Sequence, residues 1–188
     1  MSSCLFSEDI DVTKYDFIYA CAQKNFGPSG ITLVIAKKEL LEKSNSDLPN
    51  ILKYDAHANE GSMLNTPNTF GWYVAGKMFD WYLENGGVAE MEKQSIAKTT
   101  MLYDLIDKSD FYVNPVNPEQ RSINNVVFTI VNSELEKVFL EEAEKADLRY
   151  LKGHRTVGGM RASIYNSMKM ESVSALKDFM ENFEKNYG

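Results

Sequence analysis

Hydrophobic and polar positions along this chain of 188 residues change period several times. Residues 1–14 are mixed and polar and read as a connector. Phe17–Ala20 and Ile31–Ala36 are short apolar runs rich in β-branched and aromatic residues, which predicts two strands. Between them come three small residues, Cys21, Ala22 and Gln23, then Lys24, then Asn25, Phe26 and a turn of Gly27, Pro28, Ser29 and Gly30. Lys24 is thus presented on the connection between two strands. Lys37–Glu42 turns into a short helix, and Ser44–Glu60 reads as loop. Thr66 and Pro67 then predict a helix start, Thr as N-cap and Pro in the first helical position. Phe70, Val74, Met78, Trp81 and Tyr82 recur at helical spacing, and Gly86-Gly87 ends the run. A second helix is expected from about Val88 to Ile106, apolar late at Leu102, Leu105 and Ile106. Asp110–Asn117 is irregular, and Val126–Val131 is a buried strand. Ser133-Glu134-Leu135-Glu136 reads as a capping box opening a helix. Met160–Tyr165 is a strand after two glycines, and Val173–Asn186 is the last helix. Alternation of helix and strand from Gly87 onward predicts a compact α/β layer with a small sheet.

Composition narrows the function classes. A hydrophobic fraction of 44% and a charged fraction of 25% describe an ordinary globular protein. The net charge of −7 disfavours general nucleic-acid binding, since no basic stripe offsets it. No apolar run approaches the ~18 residues a membrane-spanning helix needs. The first residues, MSSCLFSEDIDV, lack the basic start and apolar core of a signal peptide. Cys4 and Cys21 are too few for a disulfide framework or a zinc site, so reduced cysteines and a cytoplasmic location are expected.

Few residues here can carry chemistry. Lys24 is either a solvated surface charge or an amine partly desolvated among small residues on a stiff turn. In the second case its pKa falls, and the neutral amine can attack a carbonyl as a Schiff-base lysine. Asn65 and Thr66 precede a helix start, where an anion can bind, though Thr66 also reads as a plain cap. Arg161 on a buried strand needs an anionic partner, which is either a ligand carboxylate or a structural salt bridge. His154 and Arg155 can bind a dianion or form a surface basic pair. His57 has no second histidine at metal-ligand spacing. Trp72, Tyr73, Trp81 and Tyr82 read as packing, Cys21 as a small core residue, and the Glu141–Lys145 run as a solvated helix face.

The segment AxAQKNxGPxG followed by a strand resembles the cofactor-lysine segment of the phosphoserine aminotransferases, class V members of the fold type I pyridoxal-phosphate enzymes. Asn65-Thr66-Pro67, Gly153-His154-Arg155 and Gly158-Gly159-Met160-Arg161-Ala162-Ser163-Ile164-Tyr165-Asn166 resemble the same family, in its order and separations. The resemblance implies an α/β fold in two parts. Residues 1–86 would be the end of the large pyridoxal-phosphate domain, and residues 87–188 the small C-terminal α/β domain with a short sheet. It implies pyridoxal 5'-phosphate as cofactor, held by Lys24 and touched by Gln23. Asn65 and Thr66 would reach the cofactor phosphate of the neighbouring subunit, making the working site a property of a homodimer. Arg161 would bind the substrate α-carboxylate, and His154 and Arg155 its distal phosphate. The implied reaction moves an amino group between L-glutamate and 3-phosphohydroxypyruvate, giving phosphoserine and 2-oxoglutarate, in serine and, in bacteria, often pyridoxine synthesis. No nucleic acid, membrane or metal is expected.

By the same resemblance, the acidic partner of the pyridinium nitrogen would lie one position before Met1. The main phosphate loop, the stacking aromatic and further substrate arginines would lie further upstream. The 188-residue chain alone is therefore expected to show no appreciable transaminase activity, and the edges around Phe17–Ala36 to be exposed or repaired by association. The alternatives are a non-catalytic packing or dimerisation module from about Gly87, with Lys24 a bystander, or a class V aminotransferase for another substrate.

Overall fold

The structure is a computed structural model that describes residues 1–188. It divides into two compact units, Met1–Val88 and Ala89–Gly188.

In the first unit, β1 (Phe17–Cys21) and β2 (Thr32–Ala36) pair antiparallel, with Phe17 opposite Ala36 and Cys21 opposite Thr32. The pair forms a two-stranded sheet, so each strand keeps one unpaired edge. α1 (Lys38–Leu41) follows, then α2 (Tyr54–Asn59) and α3 (Thr69–Glu84). α2 lies inside the stretch expected to be loop; at six residues it is too short to impose a readable apolar period. The expected start of α3 also moves. Its N-cap is Asn68, whose side-chain oxygen accepts a hydrogen bond from the Gly71 amide at 3.0 Å, so Thr66 is not the cap and Pro67 is not helical. The buried positions of α3 are Gly71, Ala75 and Tyr82. Phe70, Trp72, Tyr73 and Trp81 are exposed, so only Tyr82 of the four expected packing aromatics is buried within this chain. The polar N-terminal segment is not a loose connector either. Leu5 and Ser7 are buried, and the Met1 ammonium donates to the Tyr19 carbonyl at 2.7 Å.

In the second unit, α4 (Gly87–Lys108) leads to β3 (Tyr112–Val113), β4 (Asn125–Ile130), α5 (Leu135–Lys145), β5 (Met160–Ser163) and α6 (Met170–Tyr187). The strands form one antiparallel sheet in the order β3-β4-β5. Strict alternation puts Val126, Phe128 and Ile130 of β4 and Met160 and Ala162 of β5 into the core. Leu102, Ile106, Phe139, Val173, Met180 and Phe183 pack against them from the helices. Phe139 is the centre of an aromatic cluster, edge-on to Tyr112, Phe128, Phe179 and Phe183. Two expectations fail here. β3 falls within the stretch expected to be irregular, and α5 is not opened by a Ser133 box. Glu134 occupies the cap position without a side-chain bond, and the Asn132 side chain accepts from the Glu134 amide at 3.2 Å instead.

Candidate functional site

The turn that carries Lys24 is built by its backbone. The Ala22 amide donates to the Ile31 carbonyl at 3.0 Å, extending the ladder by one rung beyond β1 and β2. The Ala22 carbonyl then accepts from the amides of Phe26 at 3.0 Å and Gly27 at 3.1 Å, closing a single helix-like turn. Ala22 and Phe26 are buried and anchor its two sides. Lys24, between them, is half-buried, and its amine makes no hydrogen bond or ion pair. Gln23 points to solvent. Cys21 departs from its expected role as a core residue: it is only partly buried. Hydrogen bonding to the Thr32 hydroxyl pulls its thiol below the ordinary cysteine value, with smaller effects from Ser2 and the Lys24 charge.

Asn65 and Thr66 lie on the exposed loop entering α3. The Asn65 side chain donates to the Thr66 carbonyl at 3.0 Å, and with Asn68 taking the cap the Thr66 hydroxyl is not engaged in the helix start. Both residues line an open cleft of about 880 Å³ in the first unit, walled by β2 residues, Tyr54 and Trp72. Lys24 does not line that cleft. Within one chain, therefore, Asn65 and Thr66 share a cavity and the lysine stays outside it. His57 also faces the cleft, but its ring bonds the Ile51 carbonyl, and no cluster of metal-ligating side chains exists.

Arg161 occupies the second position of β5, opposite Val127, with its amide donating to the Leu151 carbonyl at 2.7 Å. Alternation turns it to the face opposite buried Met160 and Ala162. It makes no salt bridge, and its Nε is buried without a hydrogen-bond partner. A depression of about 640 Å³ beside it is lined by Leu148, Tyr150, Ser163 and Leu176 among others. A buried guanidinium nitrogen without an acceptor is costly, and an anionic ligand removes that cost.

Beyond Arg161, the carbonyls of Tyr165 and Met168 accept from the buried Lys98 amine at 3.2 and 3.0 Å, which pins the end of this segment to α4. Burial pushes the Lys98 amine below its ordinary value.

The loop from Gly153 to Gly159 folds back on itself. The Gly153 amide donates to the Gly159 carbonyl at 2.8 Å, and a Cβ on Gly153 would meet the Gly158 carbonyl oxygen at 2.0 Å. Gly159 sits at φ +61, with the Phe128 carbonyl oxygen 2.8 Å from where a Cβ would be. No side chain fits at either point, which is why glycines bracket the loop. His154 and Arg155 project from it into solvent. The His154 ring is bonded to the Thr156 hydroxyl at 2.7 Å, and Arg155 has no ion-pair partner.

An unpartnered amine on a rigid turn, a free hydroxyl at a helix entry and an unsatisfied guanidinium are groups for attacking a carbonyl and holding anions. The sequence profile of the aminotransferase class-V family matches residues 1–176, and the chain belongs to that family. Within it, the chain is 52% identical over all 188 residues to a phosphoserine aminotransferase of Acinetobacter baylyi, of which it covers 52%. A solved phosphoserine aminotransferase from Bacillus circulans subsp. alkalophilus superposes with a TM-score of 0.96 at 41% identity, over 100% of this chain and 52% of that one. A pyridoxal-phosphate-bound phosphoserine aminotransferase from Trichomonas vaginalis gives 0.90 at 37% identity, over 96% and 52%. The chain spans about half the length of these relatives.

Proposed function

We propose that the protein carrying this chain is a phosphoserine aminotransferase. It would transfer an amino group between L-glutamate and 3-phosphohydroxypyruvate in serine synthesis, with a related phosphorylated keto acid of pyridoxine synthesis as a second substrate. The observation that carries the reading is the unpartnered Lys24 amine on its closed turn, inside a chain 52% identical to an enzyme of that name.

The residues present fit pyridoxal 5'-phosphate. Lys24 is held by its backbone while its amine stays free to bond the cofactor's carbonyl carbon. The Thr66 hydroxyl and Asn65 are available to an anion, since Asn68 serves as the cap. When bound, the cofactor supplies the electron sink that lets a substrate α-carbon lose its proton. Displaced from the cofactor by the substrate's amine, the Lys24 amine would take that proton at Nζ and return it to the other carbon centre. Arg161 pairs with the α-carboxylate and fixes which face of the substrate meets the lysine. His154 and Arg155 take the distal phosphate, with Gln23 beside the cofactor.

Because the cleft holding Asn65 and Thr66 leaves Lys24 outside, these two residues would serve the cofactor phosphate of a second subunit in a homodimer. The exposed Phe70, Tyr73 and Leu83 of α3 supply apolar surface for such an assembly. The free thiols of Cys4 and Cys21 fit a reducing cytoplasm.

The test is phosphoserine formation from glutamate and 3-phosphohydroxypyruvate by the protein that carries this chain. Lys24→Ala is expected to lower kcat by roughly a thousandfold or more, the scale of losing an amine that is both covalent anchor and base. Arg161→Lys should raise KM for both substrates. Equal rates with an unphosphorylated keto acid would refute the substrate assignment.

A further inference from the structure

The residue after Lys24 is among the most tightly held in the first unit. Asn25 is buried, and its side-chain amide lies 3.0 Å from the Leu5 carbonyl, 3.0 Å from the Ser7 hydroxyl and 3.4 Å from the Ser3 carbonyl. Its own backbone carbonyl accepts the Tyr82 hydroxyl at 2.6 Å. Tyr82 is buried on α3, with its ring stacked 5.4 Å from that of Phe6. Phe6 itself sits at φ +67, a backbone region that a bulky residue rarely enters. Such strain persists only where surrounding contacts over-determine it. The N-terminal segment is therefore bent onto Asn25 at a cost. The Tyr82 hydroxyl is thus committed to the carbonyl of the residue that follows the lysine.

We propose that Asn25 and Tyr82 are positioning residues for Lys24. Together they fix the residue next to the lysine and the Asn25–Phe26 peptide beyond it, and the Ala22 carbonyl closes the turn from the other side. The Cα–Cβ direction of Lys24 is thereby set, and the amine samples only its side-chain torsions. An amine held in a narrow range of approach reacts with a carbonyl faster than one on a mobile turn. The inference rests on the reading of Lys24 as the cofactor-binding lysine.

The experiment is competitive labelling of the 188-residue chain with trace acetic anhydride from pH 6 to 11, read for each lysine by mass spectrometry. It is repeated for Tyr82→Phe and Ser7→Ala. In parallel, sub-stoichiometric pyridoxal phosphate is added, trapped with borohydride and mapped. Thermal unfolding confirms that each variant is folded at the labelling temperature. The expected result in Tyr82→Phe is slower acetylation of Lys24 relative to Lys38 at each pH, with its pyridoxal phosphate label falling about fivefold relative to Lys38, the scale of one lost hydrogen bond. Ser7→Ala should show the same change in smaller degree, and it answers alone if Tyr82→Phe does not fold. Profiles and label ratios unchanged in a folded variant would overturn the proposal, leaving the clamp merely structural. Absence of pyridoxal phosphate label on Lys24 in the unsubstituted chain would instead sink the cofactor reading. The acetic anhydride profiles would still decide whether Asn25 and Tyr82 govern that lysine.

Discussion

Arg161 and Tyr112 show how differently two polar groups buried in the second unit can be treated. The Nε of Arg161 is buried without a partner, so the fold gains nothing from that group in the free chain. Replacing it with an apolar residue of similar reach removes an uncompensated donor, which is nearly neutral or stabilising. Arg161→Met should therefore unfold within about 0.5 kcal/mol of the parent in urea titration, or above it. A loss of several kcal/mol would mean that the guanidinium is structural. Tyr112 is the opposite case, its hydroxyl donating to the Met180 carbonyl at 2.8 Å in the heart of the second unit. Tyr112→Phe should cost about 1–2 kcal/mol, because the carbonyl loses its donor without gaining water.

Burial and the Glu184 charge also push the Tyr112 phenol well above the usual tyrosine range. Above pH ~10 the unfolded phenol gives up its proton while the folded one keeps it. The unfolded state then binds fewer protons, so stability falls as pH rises further. That alkaline fall should be shallower in Tyr112→Phe, measured by denaturant midpoints from pH 8 to 11.

At this scale the sequence singled out candidate residues for chemistry but not their partners. The structure places no salt-bridge partner on Arg161. The deep burial of Asn25 could not be read, because its acceptors lie 18 to 22 residues away in a polar segment without a period.

Among the elements, the strands around Lys24 were legible as short apolar runs rich in β-branched and aromatic residues, and the long helices by their apolar period. Errors fell where local signals compete. Thr66-Pro67 and Asn68 are both plausible helix entries, and the geometry of the Asn68 side chain decides between them. This gives a paired prediction. Asn68→Ala should destabilise by about 1 kcal/mol, the usual worth of an N-cap. Thr66→Ala should leave stability within a few tenths of a kcal/mol, as for an ordinary surface change. The reverse ranking in thermal or urea unfolding would restore Thr66 as the cap and remove its hydroxyl from the pool of free anion donors.

The orientation of α3 was not legible either. A stripe of Phe70, Val74, Met78 and Trp81 has helical period, yet the buried side is Gly71, Ala75 and Tyr82. Periodicity reports that a face is apolar; it does not say whether this chain or another surface covers it. The two-residue β3 and six-residue α2 were too short for any pattern.

For the molecule as a whole, the two units differ in how much apolar surface they bury. The second has one contiguous core from Leu102 to Phe183, in which Phe139 contacts the rings of Tyr112, Phe128, Phe179 and Phe183. The first leaves Ile51, Leu52, Phe70, Tyr73 and Leu83 exposed, with a two-stranded sheet. Local opening follows buried contact density, so the amides of β4 and α6 should be the slowest to exchange with deuterium. Those of β1 and β2 should exchange at least about a hundredfold faster. Equal protection in both units would contradict this division of stability.

On the proposed function, the turn from Ala22 to Gly27 would present one lysine to an aldehyde cofactor. The most direct test is to add pyridoxal phosphate to the purified chain, reduce with borohydride and map the labelled peptides. The expected outcome is a visible absorption band before reduction, label concentrated on Lys24, and loss of both in Lys24→Arg. No adduct, or label spread evenly over Lys14, Lys37, Lys38 and the other surface lysines, would contradict it.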